Sequence, residues 1–222
     1  DLSVSRGLGD VYKRQAYQLG SADIAHALDA LASDHERVAR ALAQVGYPEE
    51  RRRDHSFATL ARIIVGQQVS VAAAASITRK LVDTLGGDLT AASVLNCPEE
   101  DLRGAGLSRQ KVSYMQSLAT AEASGQLSLT TLPKLPDEDA TDAITAIKGF
   151  GEWSAHMYLM FSLGRPDIWP VGDLAVREGF KRIQGLEDRP TAAQLKPLGE
   201  PYRPYRSALA MLCWRFCTAE PL

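Results

Sequence analysis

Apolar residues recur every three or four positions through most of this chain, which is the spacing of one face of an α-helix. Helix-capping residues stand just before several of these runs, and glycines follow where the runs end. Strict alternation of apolar and polar residues, the mark of a half-buried strand, is missing. The pattern predicts an all-α protein of about ten helices. Its two clearest stripes are Phe57, Leu60, Ala61 and Ile64, and Tyr205, Leu209, Leu212 and Phe216.

Capping residues and helix breakers give approximate helix bounds along the chain. Residues 1–15 lack a starting Met and any sustained apolar period, and we interpret them as a non-native or disordered extension outside the fold. The last helix is expected to begin at Pro204 and to continue through Phe216. The predicted N-caps are Ser21, Asp34, Ser56, Ser70, Ser108 and Thr191.

Composition and charge are those of an ordinary soluble globular protein. Of 222 residues, 45% are hydrophobic and 23% charged, and the formal net charge is -2. That charge argues mildly against nucleic-acid binding, although local clusters such as Arg51-Arg52-Arg53 can still form a basic strip. Three cysteines without zinc or iron–sulfur spacing fit a reducing cytosol, and no segment is apolar enough to span a membrane. We therefore expect a cytoplasmic protein with no membrane partner.

Two glycines frame a short turn, Gly149-Phe150-Gly151. The turn separates a predicted helix ending at Lys148 from an apolar helix beginning near Trp153. Glycines let a backbone approach a partner closely, and the N–H groups and dipole at the start of the second helix attract an anion such as phosphate. A tight turn between two packed helices explains the same residues without a ligand.

Asp173 follows a Pro-Val-Gly turn and directly precedes another predicted helix. The simplest role for an aspartate in this position is that of an N-cap. Hydrogen bonds from backbone N–H groups favour the ionised carboxylate, and an ionised carboxylate can stabilise a positive charge that develops nearby. Capping and catalysis are therefore compatible roles for Asp173.

Trp214 and the pair Gln67-Gln68 also depart from the surrounding pattern. Trp214 lies opposite the apolar stripe of the last helix, so either that helix is buried on both sides or Trp214 lines a cavity. Gln67-Gln68 interrupts an apolar region at a predicted helix–helix turn. The two amides are either solvated or placed to reach base edges or a gap in a nucleic-acid duplex.

Together, these motifs resemble the helix-hairpin-helix DNA glycosylases, and among them the 3-methyladenine DNA glycosylase II (AlkA-like) branch. The resemblance extends from His55 to Trp214. It implies two helical subdomains with a cleft between them, in one glycosylase domain over residues 16–222 with its hairpin at 138–163. The motifs that carry it are FATLARIIVGQQVS at 57–70, GLSRQKVSYM at 106–115, IKGFGEWSA at 147–155 continuing to WPVGD at 169–173, and YRPYRSALAMLCW at 202–214.

The resemblance also implies a role for each matching residue. Asp173 matches the catalytic aspartate of the family, and Trp153 and Trp214 match its two base-pocket tryptophans. Met157 stands in the pocket where some relatives carry a tyrosine. Gln68 matches the side chain that fills the gap left by a flipped base.

The hairpin resembles the family's phosphate-binding element. Backbone N–H groups at Gly149, Gly151 and Ser154 match those that hold a DNA phosphate. No cofactor is required, although the backbone of this hairpin often holds a structural monovalent cation. The partner implied is double-stranded DNA with a flipped damaged base, bound by a monomer. The carbonyls implied for the cation are those of Thr145, Ile147 and Phe150.

The subclass depends on Trp153. Glycosylase-lyases of this superfamily carry a Schiff-base lysine there, and the nearest lysine, Lys148, precedes the turn. The resemblance therefore implies a monofunctional enzyme that hydrolyses the N-glycosidic bond of alkylated purines, of the 3-methyladenine and 7-methylguanine type, and so initiates base excision repair. The alternatives are a related glycosylase for uracil, hypoxanthine or mismatched bases, and a non-catalytic binder of damaged DNA.

Overall fold

The computed structural model describes residues 17–218, so the predicted extension at 1–15 lies outside the described residues. Within that range the chain forms twelve α-helices, two short 3-10 helices and no strand, which confirms the all-α prediction. The α-helices are α1 (Ser21–Asp34), α2 (Glu36–Val45), α3 (Phe57–Gly66), α4 (Val71–Thr84), α5 (Ala91–Leu95), α6 (Glu99–Gly104), α7 (Arg109–Ala123), α8 (Asp137–Thr145), α9 (Glu152–Phe161), α10 (Leu174–Gln184), α11 (Ala192–Leu198) and α12 (Arg206–Thr218), and the 3-10 helices are Leu132–Lys134 and Glu200–Tyr202.

The helices pack in two groups. In the central group, α7 packs against α3, α5 and α6, while α9 packs against α8 and α3. In the terminal group, α10 packs along α12, and α12 in turn contacts α1 and α2. These groups are the two helical subdomains that the resemblance implied. Among the described helices, none combines the length and apolar character that crossing a bilayer requires.

Helix α12 is the centre of the terminal group. Its residues 206–213 are all buried, so the helix is enclosed on every side over its first two turns. The backbone of α10 comes so close that a Cβ added to Gly179 would lie 2.1 Å from the carbonyl oxygen of Cys213. This contact explains why the apolar stripe of α12 alone did not define its buried face. Trp214 lies where the enclosed part ends and is only half-buried.

Most predicted caps are confirmed. The side chains of Ser56, Ser70, Ser108 and Thr191 each accept a hydrogen bond from the backbone N–H group three residues later. Each polar residue therefore satisfies one of the amide groups that a helix start leaves unpaired. These caps fix where the helices of both groups begin.

Two predicted N-terminal caps are wrong. The N-cap of α1 is Gly20, and Ser21 is already helical, because the carboxylate of Asp23 inside the first turn accepts the hydrogen bond from Gly20 N at 3.2 Å. Asp34 is the last residue of α1, and extended His35 alone connects α1 to α2.

The last helix and the helix before the hairpin also differ from their predicted bounds. Helix α12 begins at Arg206 because Arg203 and Pro204 form a turn, which Tyr205 N closes by donating to the carbonyl of Tyr202 at 2.9 Å. Helix α8 ends at Thr145 rather than Lys148, since the chain already turns at Ile147, whose carbonyl accepts from Phe150 N at 3.1 Å.

Candidate active site

Asp173 is the N-cap of α10. Its Oδ1 atom accepts hydrogen bonds from Ala175 N and Val176 N, both at 2.9 Å. The capping role that the sequence suggested is therefore present, and it fixes the carboxylate at the start of the helix. The side chain is half-buried, so part of it remains accessible to a partner.

Both tryptophans implied for the base pocket donate to the same carboxylate. Trp153 Nε1 lies 2.7 Å from Asp173 Oδ2, and Trp214 Nε1 lies 3.1 Å from Oδ1. Trp153 comes from the central group of helices and Trp214 from the terminal group, so Asp173 joins the two subdomains. Four N–H groups in all point at this carboxylate. Such donors bond most strongly to an ionised acceptor.

The surface around Asp173 is aromatic and open. Trp153 is 48% exposed, and Leu174, next to the carboxylate, is 58% exposed. The ring of Phe161 lies 6.0 Å from the ring of Trp214, and the guanidinium carbon of Arg51 lies 5.6 Å from the Trp214 ring centre. The sequence predicted Arg51 only as part of a basic strip and assigned no role to Phe161, since both ring contacts join segments far apart in the chain. Aromatic rings beside a carboxylate suit a planar ligand with a positively charged part.

Gly149 has a reason within the protein to be glycine. Its φ angle is +100°, in the left-handed region, and a Cβ added there would lie 2.3 Å from Cγ of Tyr114. The turn is therefore pressed against α7, and Phe150 beside it is buried in the core. These contacts hold the hairpin rigidly at the edge of the site.

Gly151 has no such internal reason. Its backbone is extended, with φ −101° and ψ 173°, and a Cβ there would meet no atom within 4 Å. Gly151 is the N-cap of α9, and no side chain caps that helix. The first amide groups of α9, including those of Trp153 and Ser154, have no acceptor within the helix. The absent side chain keeps these donors open to an anion from outside.

The two glutamines of the predicted turn have different environments. Gln67 Nε2 donates to the carbonyl of Gly149 at 2.8 Å, which ties this turn to the hairpin. Gln68 is exposed and has φ 55°, an uncommon conformation for a residue with a side chain. Gln67 is thus held within the protein, while Gln68, which the resemblance had singled out, projects at the surface.

A cleft of about 460 Å³ separates the Gln68 turn from the hairpin. Lys111, on its wall, donates from Nζ to the carbonyl of Val65 at 2.7 Å, and burial lowers the pKa of its ammonium group. This contact satisfies a carbonyl at the end of α3. The cleft is lined by Gln67, Gln68, Val69, Ser108, Gln110, Lys111, Tyr114, Gly149, Phe150 and Gly151.

The other predicted residues lie on the hairpin. Met157 is one turn after Trp153 on α9 and is partly buried against the core. Ser154 is also buried, at 6% exposure. Within residues 17–218, no group of three or more His, Cys, Asp or Glu side chains is placed to bind a metal ion. A cation at the hairpin would instead need backbone carbonyls.

The start of α9 without a side-chain cap and the carboxylate at the start of α10 lie together, as the resemblance to the helix-hairpin-helix glycosylases implied. The sequence model of one protein family, described as HhH-GPD superfamily base excision DNA repair protein, matches residues 61–204 of this chain. These residues include the hairpin turn and Asp173. The chain therefore belongs to the HhH-GPD superfamily.

Individual relatives narrow the comparison. The putative DNA-3-methyladenine glycosylase YfjP of Bacillus subtilis is 30% identical over 161 residues, which are 69% of this chain and 56% of that protein. The chain thus spans little more than half the length of that relative. DNA-3-methyladenine glycosylase 1 of Schizosaccharomyces pombe is 27% identical over 85% of this chain and 84% of its own length.

Solved structures resemble most of the described fold. The Schizosaccharomyces pombe 3-methyladenine DNA glycosylase Mag1, in complex with abasic DNA, has a TM-score of 0.74 at 29% identity and covers 85% of this chain and 95% of that one. The DNA-3-methyladenine glycosidase of Bacillus halodurans has a TM-score of 0.78 at 28% identity, covering 86% of this chain and 89% of that one.

Proposed function

We propose that this chain is a monofunctional DNA glycosylase that hydrolyses the N-glycosidic bond of alkylated purines in duplex DNA. The observation that carries the proposal is the carboxylate of Asp173, which accepts hydrogen bonds from the indole N–H groups of exposed Trp153 and half-buried Trp214. The names of the relatives, which are 3-methyladenine glycosylases, support the choice of alkylated purine as substrate.

The chemistry follows from the charge of the substrate. A purine alkylated at N3 or N7 is positively charged and is already a good leaving group, so the site does not need a strong general acid. The faces of Trp153 and Trp214 favour such a cation over a neutral base by about 0.5–2 kcal/mol. Asp173 stabilises the oxocarbenium-like sugar that develops as the bond breaks, and it can orient the attacking water.

The hairpin and the Gln68 turn hold the DNA in this scheme. The open amide groups at the start of α9 bind a phosphate, because the helix dipole and unpaired N–H donors both attract an anion. Gln68 enters the gap left by the extruded base, whose unstacking costs a few kcal/mol. The bond from Gln67 to Gly149 keeps the two elements at a fixed spacing.

Two features of the hairpin support hydrolysis without strand cleavage. A lyase needs an amine at the sugar, and Trp153 stands at the position where related lyases carry it. The amine of Lys148 is directed to α7 instead, where it donates to Ser113 Oγ at 3.0 Å. The expected product is an intact strand with an abasic site.

We further propose that the backbone of the hairpin can hold a monovalent cation. Thr145 and Ile147 lie at the end of α8, where carbonyl groups lack helical partners. The carbonyl of Ile147 accepts one hydrogen bond from Phe150 N and retains a second lone pair. Carbonyl oxygens are ligands of hard cations, and a cation held by these two with the carbonyl of Phe150 would add positive charge beside the phosphate.

The decisive test is base release from duplexes that contain methylated purines, uracil or hypoxanthine, with the liberated base identified by chromatography. We expect release of methylated purines, strands that break only after alkali, and a loss of about 10²–10³-fold in the rate for Asp173→Asn. Asparagine also caps helices well, so this variant should stay folded and bind DNA. Near-normal base release by Asp173→Asn would refute the catalytic role of Asp173. Release of uracil alone would show that the substrate is uracil and not an alkylated purine.

A further inference from the structure

One cation already lies on the aromatic surface of the site. The guanidinium carbon of Arg51 is 5.6 Å from the centre of the Trp214 ring, within the range of a cation–π interaction. The N–H group of the same ring donates to Asp173 Oδ1 at 3.1 Å. The cation, the ring and the carboxylate therefore form one connected chain of contacts.

Arg51 makes no other strong side-chain interaction in the part of the chain that the structure describes, where its guanidinium forms neither an ion pair nor a hydrogen bond. Its neighbour Arg52 is also exposed but contacts no aromatic ring. The two arginines thus carry the same charge one residue apart, and only Arg51 covers the ring. The contact depends on geometry and not on the basic cluster as a whole.

We propose that Arg51 is a specificity-determining residue that opposes positively charged bases at the Trp214 face, so that the site favours cationic over neutral lesions less strongly than its tryptophans alone would. The inference rests on the proposed function, because it takes Trp214 as a wall of the base pocket. A guanidinium is a planar, delocalised and weakly hydrated cation, which resembles the charged ring of an alkylated purine. One aromatic face cannot hold two such cations without electrostatic repulsion.

The repulsion acts only on a charged base. A neutral base such as hypoxanthine displaces Arg51 from the ring but does not repel it, so the guanidinium can remain near the pocket rim. A base that carries a charge gains its own cation–π interaction only after Arg51 has moved away. Removal of the Arg51 charge should therefore increase kcat/KM for the release of charged bases more than for the release of neutral bases.

The experiment compares kcat/KM for duplexes containing 7-methylguanine and hypoxanthine in wild type, Arg51→Ala and Arg52→Ala. We expect Arg51→Ala to raise the ratio of methylguanine to hypoxanthine release by about 3- to 10-fold. Arg52→Ala should leave that ratio unchanged, and Arg51→Lys, which keeps the charge, should retain most of the wild-type ratio. An equal fall of kcat/KM on both substrates, together with a smaller dependence of DNA affinity on salt concentration, would show that Arg51 binds a DNA phosphate. That result would overturn the proposal.

A second measurement does not depend on catalysis. Quenching of tryptophan fluorescence by the N-methylnicotinamide cation, relative to neutral acrylamide, reports how easily a planar cation reaches an indole. We expect Arg51→Ala to increase the relative quenching by the cation, Arg52→Ala to leave it unchanged, and Trp214→Phe to abolish the increase. If wild type released no base but showed this quenching pattern, the proposed function would be wrong and the contact between Arg51 and Trp214 would still be supported. Equal quenching in the Arg51→Ala and Arg52→Ala variants would show that the contact does not form.

Discussion

Two helices begin at the site and use their first turns in opposite ways. Helix α10 begins at Asp173, whose carboxylate accepts the amide hydrogen bonds of its own first turn. Helix α9 begins at Gly151, which has no side chain, and no cap closes its first turn. The amide groups at the N-terminus of α10 therefore have acceptors within the protein, whereas those at the N-terminus of α9 remain open.

The difference shows how one structural element supplies both charges of the proposed site. A capped terminus presents a fixed negative charge, which suits a sugar that becomes positive. An open terminus presents unpaired N–H donors, which suit the negative phosphate of the strand. The Trp153 indole, at the start of α9, connects the two through its bond to Asp173. Changing one terminus into the other is the direct way to test this comparison.

Gly149→Ala should give the largest effect, on stability. The new Cβ would meet Tyr114 at 2.3 Å and would sit at a φ of +100°, so we expect the free energy of unfolding to fall by about 2–4 kcal/mol. Denaturant unfolding measures the change. The matched control, Gly151→Ala, should stay within about 0.5 kcal/mol of wild type. Equal losses in the two variants would contradict the division of roles between these glycines.

Gly151→Asp would convert the open terminus into a capped one. The new carboxylate should occupy the amide groups of α9 and repel phosphate, so we expect DNA affinity to fall by about tenfold or more while stability rises by only a few tenths of a kcal/mol. Fluorescence anisotropy with an abasic duplex measures the affinity. Gly151→Asn, which caps without charge, should show the same stability with a smaller loss of affinity. Unchanged binding by both variants would exclude phosphate from this helix start.

Removing the cap of α10 should give the smallest effect. We expect Asp173→Ala to lower the free energy of unfolding by about 1 kcal/mol, because two amide groups and two indole N–H groups lose their acceptor. Asp173→Asn should lose less, since asparagine caps equally well and gives up only the hydrogen bond from Trp153. Thermal denaturation of both proteins separates the structural role of the carboxylate from its charge. If both variants lost stability equally, charge rather than capping would explain the role of Asp173 in the fold.

Local signals in the sequence were enough for the class of fold and for much of the site. Apolar spacing and polar caps such as Ser56 and Ser108 predicted the helices, because each depends on residues within one turn. The four ordered motifs gave the superfamily, which the family match confirms. The sequence also gave both possible roles of Asp173, and its capping role is seen directly. The phosphate contacts, the hairpin cation and the absence of lyase activity remain predictions.

Only the tertiary structure decided how these residues are used. The sequence identified Trp153, Asp173 and Trp214, but the bonds of both indoles to one carboxylate require the two subdomains to meet. It also treated Gly149 like Gly151, although Tyr114 and a left-handed φ explain the first and no internal contact explains the second. The contact of Arg51 with Trp214 had no sequence signal at all. Periodicity and caps record interactions within a turn or two of the chain, whereas these contacts form between segments that only folding brings together.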